Sequence, residues 1–350
     1  MKKTKEDTMG NTKKGIAMLA AAAVLASTAL TGCGNTIDQG ATVITVGEDK
    51  VTMDVANFFA RHQQAIAQMQ YSSMFGEDFW GMSLSQEGGT LEDDVKKNIL
   101  ESLEQMYVLE DHMADYGVEL TKDEKSKIQE AAKAFVKANK ENTLEKVSGT
   151  EETVNRVLEL VTIQEKMHQA MVADVDTNVS DEEAAQKSMQ YVFFSFTKTD
   201  KDGKSSDMTK EEKAELKKKA EAFVAEARTA EDFEKLAEKE ELTASTMTFD
   251  KEQTTPSPEF IKAADALKEG EVTDVIEGTT GYYVGKVTSL FDKQATEEKK
   301  ANIVSERQNT KYQEILDGFM KEAKIKVNKD EWKKVSFKKL KVTMKQETKK

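Results

Sequence analysis

The chain of 350 residues holds one cysteine, two prolines and three histidines, and each shortage removes a class of protein. With Cys33 as the only thiol, there is no disulfide, no CxxC redox pair and no cysteine metal site, so the fold must rest on its core alone. His62, His112 and His168 lie far apart on predicted helices and match no HExxH or other metal spacing; each is expected on a helix face, and neither a metal nor a cofactor is expected. No GxSxG elbow, Walker loop or GxGxxG occurs, which leaves hydrolase, kinase and dehydrogenase chemistry without a footing. Acidic pairs such as Asp93-Asp94 and Glu182-Glu183 stand at helix starts, where the helix dipole favours them, and are read as structural. So little proline in a chain that is 33% charged points to long, solvated helices.

What is present begins at the N-terminus. Lys13 and Lys14 precede an uncharged run over residues 15–30, which closes on Leu30-Thr31-Gly32-Cys33. A positive front, a short apolar run and small residues form an export signal; the run is short for the ~20 residues that span a bilayer. Leu-Thr-Gly-Cys resembles the bacterial lipobox. That resemblance implies a signal peptide over 1–32, a lipid (palmitate) on Cys33, and a lipoprotein held at the extracytoplasmic face of the cell membrane. Residues 33–40 then form a polar tether.

From Cys33 onward there are 318 residues with 46 basic and 62 acidic side chains, a charge of −16. This argues against nucleic acid as the main partner and favours solubility. The balance reverses at the C-terminus, where 333–350 carries eight lysines against Glu347 alone. Residues 329–350 are therefore expected to be a solvated basic tail, with contact to anionic wall polymer or lipid as the alternative.

Between these ends the periodicity changes twice. Val43-Ile44-Thr45-Val46 and Val51 flank a turn at Gly47 and predict a hairpin. A helix with Val55, Phe58, Phe59, His62, Ile66 and Met69 follows. Residues 69–84 then gather Met69, Tyr71, Met74, Phe75, Phe79, Trp80 and Met82. They are read either as core or as an adaptable surface for unfolded chains. Thr90-x-x-Asp93, Thr121-x-x-Glu124, Ser180-x-x-Glu183 and Thr209-x-x-Glu212 match capping boxes, and Gly117 is a C-cap. Residues 189–196 read as a central strand, two helices follow over 209–239, then a strand at 244–249, a helix at 258–267 and a strand pair at 272–287. A long helix over 296–323 returns the chain to a helical pattern. The fold class is α+β. A helical domain is built from both chain ends (41–186 and 292–328), and a compact α+β domain (187–291) is inserted in it.

The insert resembles a parvulin-type peptidyl-prolyl isomerase domain, and the whole chain resembles the PrsA-type foldase lipoproteins and, more distantly, the SurA chaperones. The residues that carry this are Thr229-Ala230-Glu231-Asp232-Phe233-Glu234-Lys235-Leu236-Ala237, Pro258-Glu259-Phe260, Leu267-Lys268-Glu269-Gly270-Glu271-Val272 and Gly281-Tyr282-Tyr283-Val284-Gly285-Lys286-Val287. The resemblance implies a membrane-anchored chaperone for unfolded exported polypeptides. It maps the family's catalytic positions onto Tyr191, Ser245 and Tyr283, and its peptide-binding pocket onto Tyr191, Met247, Phe249, Phe260 and Tyr283. Parvulins place histidines where Tyr191 and Tyr283 stand here, and Ala244-Ser245-Thr246-Met247 replaces their Gly-Gly-Asp-Leu-Gly loop. A weak or inactive isomerase is thus expected, with an active prolyl isomerase as the alternative. A solute-binding lipoprotein would instead alternate β and α through two lobes.

Overall fold

In the computed structural model of the chain, residues 25–29, 37–83 and 88–344 are described. Cys33 and most of the leader fall outside them. In chain order the elements are β1 (Leu25–Ala29), β2 (Thr42–Val46), β3 (Asp49–Thr52), α1 (Met53–Phe75), α2 (Leu91–Asp111), α3 (Lys122–Ala138), α4 (Glu141–Val147), α5 (Glu151–Met171) and α6 (Asp181–Ala184). After β4 (Lys187–Ser195) come β5 (Thr197–Thr199), β6 (Ser205–Asp207), α7 (Lys210–Ala227), α8 (Phe233–Lys239), β7 (Ser245–Phe249) and α9 (Pro258–Asp265). The chain ends with β8 (Ile276–Glu277), β9 (Gly281–Ser289), α10 (Lys293–Glu322), β10 (Ile325–Val327), α11 (Lys329–Trp332) and β11 (Leu340–Met344). The fold is α+β.

Two compact units emerge: one runs to Asp174 and resumes at Asn309, the other is Val175–Gln308. The boundaries expected at 186/187 and 291/292 fall inside the second unit. The reason is visible in its own bonds: Thr296 Oγ1 accepts from Gln186 N at 3.1 Å, Lys300 pairs with Asp181, and Arg307 Nη2 meets Glu183 Oε1 at 2.6 Å. These tie the α6 region to the first half of α10, and Lys299 Nζ, 3.1 Å from Asp250 Oδ2, ties α10 to the insert.

The first unit is organised around α1. Met53, Val55, Ala56, Phe58, Phe59, Ala60 and Ala65 are buried on it, as are the polar Asn57, Arg61, His62, Gln64 and Gln68. Burial on several sides of one helix marks it as a central element. Beside it, β2 is the middle strand of a three-stranded antiparallel sheet. Gly47, at φ +58°, makes the left-handed turn of the expected hairpin. The third strand, β10, pairs Ile325 with Val46 and Val327 with Ile44, an addition that no local signal predicts.

Capping behaves as the side chains dictate. Thr90, Thr121 and Thr209 form reciprocal capping boxes, and Ser180 Oγ accepts from Glu183 N. Gly117 takes the left-handed C-cap conformation.

Two expectations need correction. Residues 69–84 are neither all core nor all surface. Helix α1 runs on to Phe75, so Met69, Tyr71, Met74 and Phe75 are exposed, whereas Phe79 and Trp80 are buried. Trp80 Nε1 donates to Gln68 Oε1 at 2.9 Å, which satisfies both buried polar groups.

Residues 329–344 are not a solvated tail. Trp332, Val335, Phe337 and Val342 are buried between the lysines. Phe337 packs edge-on to Trp80 with 4.8 Å between ring centres, and the Arg61 guanidinium lies 5.7 Å over its ring. The segment's backbone is also read by buried side chains. Arg61 Nη1 donates to Ser336 O and Leu340 O, Gln64 Nε2 donates to Phe337 O and Leu340 O, and Glu92 Oε1 accepts from Phe337 N at 2.7 Å. Burial pulls the Arg61 pKa down to about 10 against the opposing pull of Glu92. Lysine-rich composition hides an apolar spacing that the helices α1 and α2 bury.

Candidate peptide-binding site

In the second unit β7, β4, β9 and β8 form a four-stranded antiparallel sheet, in that order. Strand alternation sends successive side chains to opposite faces. Val192, Phe194, Tyr282 and Val284 turn to the face that α7 and α8 cover with Phe223, Val224 and Phe233. Met189 and Tyr283 turn to the other face, where α9 brings Phe260, Ile261 and Ala264.

The approach of α9 is set locally. Pro258 is at its start, where the missing N–H costs nothing, and Ser257 Oγ accepts from Phe260 N at 3.4 Å. The same hydroxyl donates to the Glu259 carboxylate at 2.8 Å and holds its pKa below the usual range. Phe260 is thereby fixed against the sheet. Its ring stacks on Tyr283 at 5.2 Å and lies 5.8 Å from Tyr191. Tyr191 and Tyr283 are 6.4 Å apart. Gly285 makes room for this: a Cβ there would sit 2.8 Å from Phe260 Cζ and 3.3 Å from Met189 Sδ.

The register places the remaining expected residues. Ser245 on β7 lies opposite Tyr191 on β4, and Tyr191 lies opposite Gly285 on β9. Met247 pairs with Met189, and Phe249 with Lys187. Met247, Phe249, Phe260, Tyr191 and Tyr283 thus share one apolar cluster, with Ser245 beside it in the Tyr191 row. Sequence reasoning missed Met189, Ile261 and Ile276 in that cluster, and Phe193. Phe193 is 37% exposed and stacks on Tyr283 at 4.8 Å. The Met189-Tyr191-Phe193 alternation carries the signal, but only the sheet register shows which face it serves.

Among the described residues this face is lined by an aromatic and aliphatic cluster. The three histidines all belong to the first unit. At the start of β4, Lys187 Nζ pairs with Asp265 Oδ1 at 2.8 Å and donates to Asp265 O at 2.7 Å. Among the described residues no cluster of His, Cys, Asp and Glu could hold a metal ion. The arrangement can strip water from an apolar ring and offer tyrosine hydroxyls to a carbonyl.

Residues 198–302 match the family of PPIC-type PPIASE domains. The match starts after β4, so Tyr191 lies just before it. Across the longer chain, the foldase protein PrsA of Clostridium botulinum strain Langeland is 25% identical over 308 residues, covering 81% of this chain and 87% of that protein. The strain Hall protein is 26% identical with the same coverage. Over most of its length this chain is similar to the PrsA foldases. Solved PrsA structures are similar as well. That of Lactococcus lactis is 18% identical over 83% of this chain and 96% of its own, with a TM-score of 0.34. That of Streptococcus pneumoniae is 22% identical over 71% and 96%, with a TM-score of 0.30.

Proposed function

We propose that the chain is a lipid-anchored extracytoplasmic foldase that binds unfolded exported polypeptides, and that its PPIC-type unit holds proline-bearing segments with weak isomerase activity or none. The observation that carries this reading is the Tyr191–Phe260–Tyr283 cradle, apolar and free of histidine. Prolyl rotation needs no covalent chemistry, only relief of a ~18–20 kcal/mol barrier by desolvation and by bonds to the twisted imide. The cradle supplies the first. Tyr191 and Tyr283 are the groups available for the second, which keeps active isomerisation as the alternative.

The first unit adds a second apolar surface. Met69, Tyr71, Met74, Phe75 and Met82 are exposed together around the end of α1, Met74 to 72%. Flexible methionines suit varied partners. The PrsA name of the relatives supports the foldase reading. The lipobox supports the anchor at Cys33, and no helix among the described residues is long and apolar enough to cross a membrane.

The test is to refold a reduced secreted protein with and without the chain, beside a proline-peptide isomerisation assay. Suppressed aggregation with a background isomerisation rate is expected. Restoring histidine with Tyr191→His and Tyr283→His raises that rate if the site has merely lost its polar groups. No suppression of aggregation at stoichiometric excess sinks the foldase reading. A rate well above background in the unmodified chain replaces the weak site by an active one. For the anchor, Cys33→Ala is expected to release the chain from the membrane fraction.

A further inference from the structure

The rings of the second unit's apolar cluster differ in what a passing chain can reach. Phe260 is fully buried and Tyr283 nearly so, whereas Phe193 beside them is 37% exposed and Tyr191 is half-buried. Phe193 on β4 lies opposite Tyr283 on β9, and their rings sit 4.8 Å apart with 34° between planes. Two glycines make room for the pair. A Cβ at Gly281, two residues before Tyr283 on the same face of β9, would sit 2.3 Å from Phe193 Cε2. A Cβ at Gly278 would sit 2.7 Å from Tyr283 Cε2. A single exposed apolar side chain needs no explanation. Phe193 is different, because its ring is seated over bare backbone and against a second ring while one side stays open to solvent.

We infer that Phe193 is a specificity-determining residue of the peptide site, and that it takes an aromatic side chain two positions from the proline of a bound segment. The inference rests on the cradle reading above and adds a second seat to it. Tyr191 and Phe193 are alternate residues of one strand, so their side chains leave the same face about 6.6 Å apart. An extended segment has the same repeat, with side chains at alternate positions pointing the same way. A proline ring against Tyr191 and the edge of Tyr283 therefore brings the side chain two positions away onto Phe193. The residue between them points away from the sheet.

The chemistry of that second side chain follows from the seat. Phe193 offers a ring already oriented by Tyr283 and Gly281, so a partner ring can pack on it offset or edge-on, a gain beyond the area it buries. An aliphatic side chain obtains the area alone.

The test titrates the full chain with dye-labelled, uncharged peptides and reads fluorescence anisotropy. One peptide carries phenylalanine two positions from its proline, a second has alanine in that place, and a third has the phenylalanine beside the proline. Each is made with the ring before and after the proline. In at least one order the first peptide should bind about two- to tenfold more tightly than the other two. This preference should vanish in Phe193→Ala and persist in Phe193→Trp. Equal binding of the three peptides in both orders overturns the inference. A preference that survives in Phe193→Ala also overturns it, since another surface, such as the methionine cluster at the end of α1, would then hold the ring. Urea unfolding followed by tyrosine fluorescence checks the variants, and a second unit that no longer folds in Phe193→Ala makes Phe193 a core residue and overturns the inference as well. A fourth peptide, with alanine for proline, separates the two readings. If it binds as tightly as the first and the ring preference still depends on Phe193, the proline cradle falls and the aromatic seat stands. If proline is required and no ring preference is seen, the seat alone falls.

Discussion

Phe260 stacks on Tyr283 with 5.2 Å between ring centres and 27° between planes, and the backbone of Gly285 lies against the Phe260 ring. Any side chain at Gly285 competes with Phe260 for the same space. Gly285→Ala is expected to destabilise the second unit by about 1–3 kcal/mol through overpacking. It should also weaken proline-peptide binding. Urea unfolding followed by tyrosine fluorescence, with peptide titration of the folded variant, checks both. Unchanged stability and affinity would show that Phe260 yields freely.

Phe337 is the anchor of the C-terminal segment. It is fully buried, so Phe337→Ala is expected to cost about 3–5 kcal/mol. Lys339→Ala, on the exposed side of the same segment, should stay within about 0.5 kcal/mol. The two tryptophans, Trp80 and Trp332, both lie in the first unit, so their fluorescence follows that unit alone. Equal effects of the two substitutions would return the segment to a solvated tail.

His62 is buried with neither ring nitrogen bonded, and burial pulls its pKa from 6.5 down to about 4. The unfolded chain takes up a proton near pH 6.5, the folded chain only near pH 4. The first unit should therefore lose stability as pH falls through that window, by up to about 3 kcal/mol from this group. His62→Leu is expected to flatten the loss without harm at pH 7.5, since the polar group it replaces has no partner. Tryptophan-monitored urea melts at pH 7.5 and 5 decide it; an unaltered pH slope would count against the assignment.

Asp111 moves the opposite way. Burial, with a bond to Asp49 and its charge, raises the Asp111 pKa to about 6. Here the folded state binds the proton more tightly, so this contribution is present at low pH and lost as pH rises through about 6. Asp111→Asn should be more stable than the unmodified chain at pH 8, by less than about 1 kcal/mol at so exposed a site, with the gain vanishing toward pH 4. Thermal melts across that range test the sign.

Much of this fold was legible in local signals. The capping boxes at Thr90, Thr121 and Thr209 located helix starts, and the run at 189–196 located the central strand of the second unit. Tyr191, Phe260 and Tyr283 were singled out through the order of their motifs, and the sheet register places them in one cluster. Met189 and Ile276 were not found, because membership of a cluster across three strands depends on register rather than on sequence neighbours. The C-terminal segment was misread for a compositional reason: its lysines outnumber Trp332, Val335, Phe337 and Val342. Strand β10 has only three residues, and its partner in β2 lies some 280 residues earlier. No window of sequence holds both halves of that pairing.

That distance sets an order of events. Strand β2 is made well before its second neighbour, β10. The second unit, continuous from Val175 to Gln308, is complete before Ile325 arrives. Pairings between remote segments wait on loop closure, so they form late. During synthesis at roughly 5–20 residues per second, the β2 edge thus stands open for on the order of ten seconds or more, while the inserted unit already has every residue it needs.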